Sequence, residues 1–173
     1  MARNNLLKIF VAMVLALTAS SCIFDNRESK NDLKVGDKLP DFSVTLNDGS
    51  VVTGAALRKG VSVILFFTTT CPDCQQMLPE MQRIYDHFHS QGVDFALISR
   101  EESEDKISAY WQKEGLNMPY SPQTDRKVYN LFATSIVPRV YVSDKSGIIR
   151  TIFTDNPVPT YSNIKTAILN LIE

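Results

Sequence analysis

The chain is poor in cysteine, in net charge and in long apolar runs. Its 173 residues carry 18 lysines and arginines against 19 acids, a formal charge of −1. Such a balance offers no basic face for a phosphate backbone, so a nucleic-acid partner is not expected. The longest apolar stretch, Ile9 to Leu17, is shorter than the about 20 residues that span a bilayer. Internal repeats are missing, and low complexity is confined to the N-terminal region. Three cysteines are too few for a disulfide scaffold of the kind that staples small exported domains.

What is present begins with a targeting segment. Arg3 and Lys8 supply a positive start, Ile9–Leu17 an apolar middle, and Thr18-Ala19-Ser20-Ser21 a small-residue stretch before Cys22. Small residues followed directly by cysteine resemble a bacterial lipobox, in which Cys22 becomes the lipidated N-terminus of an exported protein. Ala19 stands where leucine is usual, so ordinary cleavage with an unlipidated Cys22 is the alternative. Residues 1–21 are expected to be a signal peptide, 22–34 a lipidated cysteine with a polar tether, and 35–173 one domain. Cleavage would leave 152 residues, enough for one domain with a core of its own.

From Leu33 onward the pattern is α/β. Phe42–Leu46 alternates like a strand, and Asn47-Asp48-Gly49-Ser50 turns it into Val51–Thr53. Val61–Phe67 is a short, β-branched and aromatic run that reads as a buried strand. A helix is predicted from about 72 to 90, with Met77, Leu78, Met81, Ile84, Tyr85 and Phe88 at helical spacing. Val93–Ser99 is a second apolar strand, which makes this unit a βαβ crossover with parallel strands. Ser103 is expected to cap a helix reaching Glu114, with the acids from Glu101 to Asp105 as its solvated start. Met118–Ser121 is a segment able to pair, and Asp125–Phe132 reads as a short helix. A hairpin over 139–142 and 148–153 and an amphipathic helix from Tyr161 to Ile172 complete the domain.

Cys71-Pro72-Asp73-Cys74 falls where the apolar strand hands over to the long helix. A cysteine there has its sulfur near free N–H groups and the positive helix end, which favour a thiolate. Cys74 lies one turn on, within reach of a short disulfide. Pro72 suits the first turn, where its missing N–H has no partner to lose. With Cys22 assigned to export, a C-x-x-C is half of a zinc site at most, and His87 and His89 lie on different helix faces. They read as solvent-facing, while Tyr110 and Trp111 read as core. No metal or other cofactor is expected.

Several further landmarks accompany this motif. Pro79 interrupts the helix, Val137-Pro138 precedes a strand, Gly36–Phe42 opens the domain, and Asp48-Gly49 and Asp144–Gly147 sit in the hairpins. Together they resemble the thioredoxin superfamily, in particular the exported, membrane-tethered TlpA/ResA-like thiol-disulfide oxidoreductases. The resemblance covers roughly 35–172. It implies a thioredoxin-like α/β fold with a central mixed sheet flanked by helices and an added N-terminal β-hairpin. Cys71 is then the nucleophile and Cys74 the resolving thiol, and Pro138 is cis with the Val137 backbone beside them for an extended substrate. The implied partners are protein disulfides and a membrane electron donor, on the periplasmic side of a lipid-anchoring membrane. Reduction of substrate disulfides, as in cytochrome c maturation, is the implied direction.

Departures from that pattern matter as much. Thr70 replaces the tryptophan common before the first cysteine, and Leu65 and Met77 occupy positions where relatives carry a proton-moving acid. Asp73 is the nearest carboxylate in sequence. Arg139 stands where threonine is common; pointing inward it favours the Cys71 thiolate, and otherwise it is a plain strand-edge residue. Two other readings were weighed. A thiol peroxidase is suggested by Thr68 three residues before Cys71, but the proline its motif needs is Ile64 here. A copper carrier using both thiolates as soft ligands needs a wider cysteine spacing and a placed histidine.

Overall fold

The computed structural model describes residues 32–172; the expected signal peptide and Cys22 lie outside the described residues. The elements run β1 (Ser43–Thr45), β2 (Val51–Thr53), α1 (Gly54–Leu57), β3 (Ser62–Phe67), α2 (Pro72–Phe88), β4 (Asp94–Ser99), α3 (Glu104–Glu114), β5 (Arg139–Ser143), β6 (Ile149–Phe153) and α4 (Tyr161–Ile172). β1 and β2 form an antiparallel hairpin, and the main sheet has the order β4-β3-β5-β6. β4 runs parallel to β3 through the α2 crossover, whereas β5 is antiparallel to β3 and β6 to β5. This is the thioredoxin-like mixed sheet with its added hairpin.

β3 explains why it was readable: all six of its residues are buried, because it is an interior strand covered on both faces. Alternation along it divides two aromatic clusters. Phe66 packs edge-on against Tyr129 and tilted on Phe132, and Phe132 in turn meets Tyr141. On the opposite face Phe67 lies against Trp111 of α3, whose indole also meets Tyr120 and donates to the Met118 carbonyl at 2.9 Å. The core expectation for Trp111 therefore holds.

Two local expectations change. Asp125–Phe132 is not a helix but a run of turns with a 3-10 helix at Tyr129–Leu131, because aromatic packing under Phe66 fixes the segment. Ser103 has extended backbone at the start of α3, yet its hydroxyl makes no capping bond. Met118–Ser121 pairs as expected, through a parallel bridge of Ser121 to Ile98 in which the Ser121 N–H donates to the Leu97 carbonyl at 2.7 Å. Pro79 lies inside α2, where its ring nitrogen cannot bond the Gln75 carbonyl.

The packing reaches back to Asp32 and Leu33, within the expected tether. Leu33 N–H donates to the Phe132 carbonyl at 2.8 Å. Asp32 accepts from the Thr134 N–H and hydroxyl at 2.8 and 2.9 Å and pairs with the Arg139 guanidinium at 3.3 Å. Arg139 is 1% exposed, so the strand-edge alternative is overturned: β5 is an interior strand, and its first residue points into the molecule. Tyr141, whose phenol burial pushes up to about 12, accepts from Arg139 and donates to the Phe132 carbonyl. Removing one partner of such a buried pair strands the other charge. Asp32→Ala is expected to lower the unfolding free energy by about 3–5 kcal/mol in urea denaturation. The Asp32→Ala/Arg139→Met double variant should recover part of that loss; a single-variant cost below about 1 kcal/mol would show the pair to be dispensable.

Candidate active site

Cys71 is the N-cap of α2, with extended backbone (φ −84°, ψ 122°) and Pro72 as the first helical residue. The Gln75 N–H bonds the Cys71 carbonyl at 2.9 Å, so the helix starts at the sulfur-bearing residue itself. Cys71 is half-buried and Cys74 fully buried, and both are thiols. Burial above all raises the Cys74 thiol well above its ordinary value; the Thr68 backbone opposes this, and Cys71 adds to it by charge and hydrogen bond. Arg100 pulls it back slightly. The division of labour is physical: one accessible sulfur at the positive helix end, and one protected sulfur that stays protonated.

A second chain reversal meets the first. The peptide bond Val137–Pro138 is cis, and the Cys71 thiol donates to the Val137 carbonyl at 3.4 Å. A further cis bond, Asn156–Pro157, lies in the loop before α4 and was not anticipated. Ile136 has φ +73°, a left-handed conformation that a β-branched residue rarely adopts. Its carbonyl and that of Ser135 are both held by the Tyr129 hydroxyl, the Ile136 bond at 2.7 Å. Asp73, in the first turn of α2, is half-buried. The Arg139 guanidinium is engaged by Asp32 and Tyr141, and the cation acting on Cys74 is Arg100.

Sequence reasoning missed Glu102. Placed in an acidic run read as solvated, it is only 5% exposed. Its two carboxylate oxygens accept from the Thr69 N–H and the Thr69 hydroxyl, each at 2.7 Å. Gln75 Nε2 donates to the Thr69 carbonyl at 2.8 Å from the other side. The turn that delivers Cys71 is thus clamped by a carboxylate from the β4–α3 loop. Local sequence gives no sign of this, since a glutamate among four other acidic or polar residues looks exposed. A hint was the pairing of strands 61–67 and 93–99, which brings their C-terminal ends together.

Three outcomes test this geometry. Glu102→Ala leaves the Thr69 N–H without its acceptor and should cost about 1–3 kcal/mol of stability in urea, with Glu102→Gln intermediate because its amide keeps a single acceptor oxygen. Between the ordinary thiol pKa of 9.0 and the higher value in the fold, the unfolded chain has lost a Cys74 proton that the folded chain keeps. Reduced protein should therefore lose stability as pH rises above about 9, and Cys74→Ala should lose less. Parallel pH profiles for the two would overturn the burial effect. At neutral pH, iodoacetamide should label Cys71 and spare Cys74 by peptide mass mapping.

Several known proteins are similar to this chain in sequence or fold. The Bacillus subtilis thiol-disulfide oxidoreductase ResA is 26% identical over 167 residues, covering 94% of this chain and 90% of its own. The protein of that name from Bacillus thuringiensis is 23% identical over 150 residues, covering 85% and 86%. A thiol:disulfide interchange protein of the thioredoxin family from Chlorobium tepidum superposes with a TM-score of 0.69 at 21% identity, covering 82% of this chain and 99% of its own. The AhpC/TSA family model matches residues 35–152, which includes both cysteines and Val137-Pro138. Motif, sheet order and family match converge: this chain belongs to the AhpC/TSA family, on a thioredoxin-like fold.

Proposed function

We propose that the protein is a thiol-disulfide oxidoreductase that reduces disulfides in protein substrates. The observation that carries it is the unequal pair, a half-exposed Cys71 at a helix start and a buried, protonated Cys74 three residues on. Cys71 stands next to the Val137 backbone carbonyl, which precedes a cis proline. Relatives named thiol-disulfide oxidoreductases align over most of the chain, which supports the reading.

The steps follow from the two environments. The Cys71 thiolate attacks one sulfur of a substrate disulfide; a Cys71–substrate S–S bond forms, the substrate S–S bond breaks, and the departing thiolate takes up a proton. Cys74 then gives up its proton to solvent or a nearby base and attacks the Cys71 sulfur. The second substrate thiolate leaves, the substrate has gained two electrons, and the enzyme holds the Cys71–Cys74 disulfide. An external dithiol or membrane electron donor must return those electrons. Val137, beside Cys71, is placed to pair with an extended substrate segment.

Export and attachment belong to the same proposal. The N-terminal sequence supports a lipid anchor at Cys22 and a periplasm-facing domain, and among the described residues no helix is long and apolar enough to cross a membrane. The peroxidase reading finds no support in the motif, since Ile64 is a fully buried residue of β3 rather than the required proline.

The deciding measurement is the equilibrium potential of the Cys71–Cys74 couple at pH 7. A value near or below about −220 mV supports the reducing direction; one near about −120 mV makes the protein a disulfide donor instead. In an insulin-reduction assay Cys71→Ser should fall to the uncatalysed rate, and Cys74→Ser should accumulate a mixed disulfide on Cys71.

A further inference from the structure

Beside the cis-proline loop two guanidinium groups share one aromatic ring. Arg100 lies over the Tyr129 ring at 5.4 Å and Arg126 at 5.2 Å from its centroid. Arg100 follows β4, and its N–H bonds the carbonyl of Phe67, the last residue of β3 before the redox turn. Arg126 Nη2 donates to the Thr134 carbonyl at 2.5 Å, and the same ring carries the hydroxyl that holds Ser135 and Ile136. The two cations thus flank the loop that ends at Val137, one residue beyond Ile136.

Two like charges on one ring repel unless an anion lies between them. The anion supplied by the fold is Glu101, and it is loosely held. Its carboxylate is 3.6 Å from Arg126 and 4.0 Å from Arg100, beyond hydrogen-bond length. Its side chain is 49% exposed, and its backbone sits at φ +62°, a left-handed conformation costly to a residue with a side chain. Arg100 Nε is buried without a hydrogen-bond partner among the described residues. Both cations keep part of their surface in solvent, so donors remain for a second carboxylate.

We infer that Arg100 and Arg126 form a carboxylate-recognition surface at the rim of the redox site, selecting substrate segments with an acidic residue near the disulfide. A segment laid against Val137 passes Ile136 and Ser135, and its acidic side chain there displaces or joins Glu101. The surface adds affinity and orientation; the sulfur chemistry is unchanged. This inference rests on Cys71 and Cys74 being a disulfide-exchanging pair.

The test uses two synthetic peptides that each contain one C-x-x-C disulfide and differ only in having glutamate or glutamine in the flanking positions. The second-order rate constant of a single exchange is measured for both, with reduced enzyme on disulfide peptides and oxidised enzyme on dithiol peptides, so the ratio is read in whichever direction the enzyme runs. The wild type should prefer the glutamate peptide by about three- to ten-fold at low salt, and the preference should shrink at high salt. Arg126→Gln and Arg100→Gln should bring the ratio toward one, and Glu101→Gln should raise it. A merely structural role for the arginines would slow both peptides equally and leave the ratio intact. Equal wild-type values for the two peptides, or a preference that survives both arginine substitutions, would overturn the inference. Inactivity of both peptides in both directions would overturn the exchange reading itself, and the inference with it.

Discussion

A thiol meeting a carbonyl 66 residues further along the chain, Cys71 against Val137, is the contact on which the rest of the structure depends. Neither partner lies within a regular element: one caps a helix and the other precedes a strand. A central sheet places the two turns side by side but does not define them to a fraction of an ångström. That definition comes from polar groups that bond the turns, most of them buried. Glu102 and Gln75 hold Thr69 from opposite sides, Tyr129 holds two successive carbonyls before Val137, and Asp32 holds the Thr134 amide and hydroxyl. Glu102, Tyr129 and Asp32 make these bonds from buried side chains, where losing a partner costs most, and Gln75 makes its bond from the exposed side of the turn.

Most of this frame was legible from residue order. β3 reads as a strand because an interior strand is apolar on both faces, and the α2 periodicity follows from packing one helical stripe on the sheet. The C-x-x-C at their junction locates the chemistry for the same reason, since a strand–helix boundary puts a side chain at a helix end. The clamps were not legible, because burial of a polar residue depends on what closes over it. Glu102 and Arg139 look solvent-facing by type, and each is buried because a distant segment supplies its partner. The segment at 125–132 misled in the opposite way. Its apolar spacing fits a helix, but Tyr129 and Phe132 are drawn under Phe66 one at a time.

Departures from the thioredoxin pattern also acquire a physical setting. With Leu65 and Met77 fully buried and apolar, the surroundings of Cys74 hold its proton in place rather than offer a route for it. The ionisable groups are moved to the periphery, with Asp73 in the first turn and Arg100 beyond β4. Arg139 illustrates how a charged residue survives in such a core: it is held by an acid and a phenol, and two of its nitrogens find no hydrogen-bond partner among the described residues. Such a residue is an unlikely choice for stability alone, since an apolar replacement of the whole pair is often as stable. Its value is positional, because it ties the chain upstream of the domain to the first residue of β5.

Asp32 has a practical consequence. It is bonded three residues before Val137, through Thr134, and one residue after Pro138, through Arg139. The chain therefore enters the domain at its working end rather than behind it. Whatever is joined upstream is attached through a residue bonded on both sides of the cis-proline turn. A pull on that attachment is a pull on the turn, so a handle for immobilising the protein belongs at the other terminus, beyond α4.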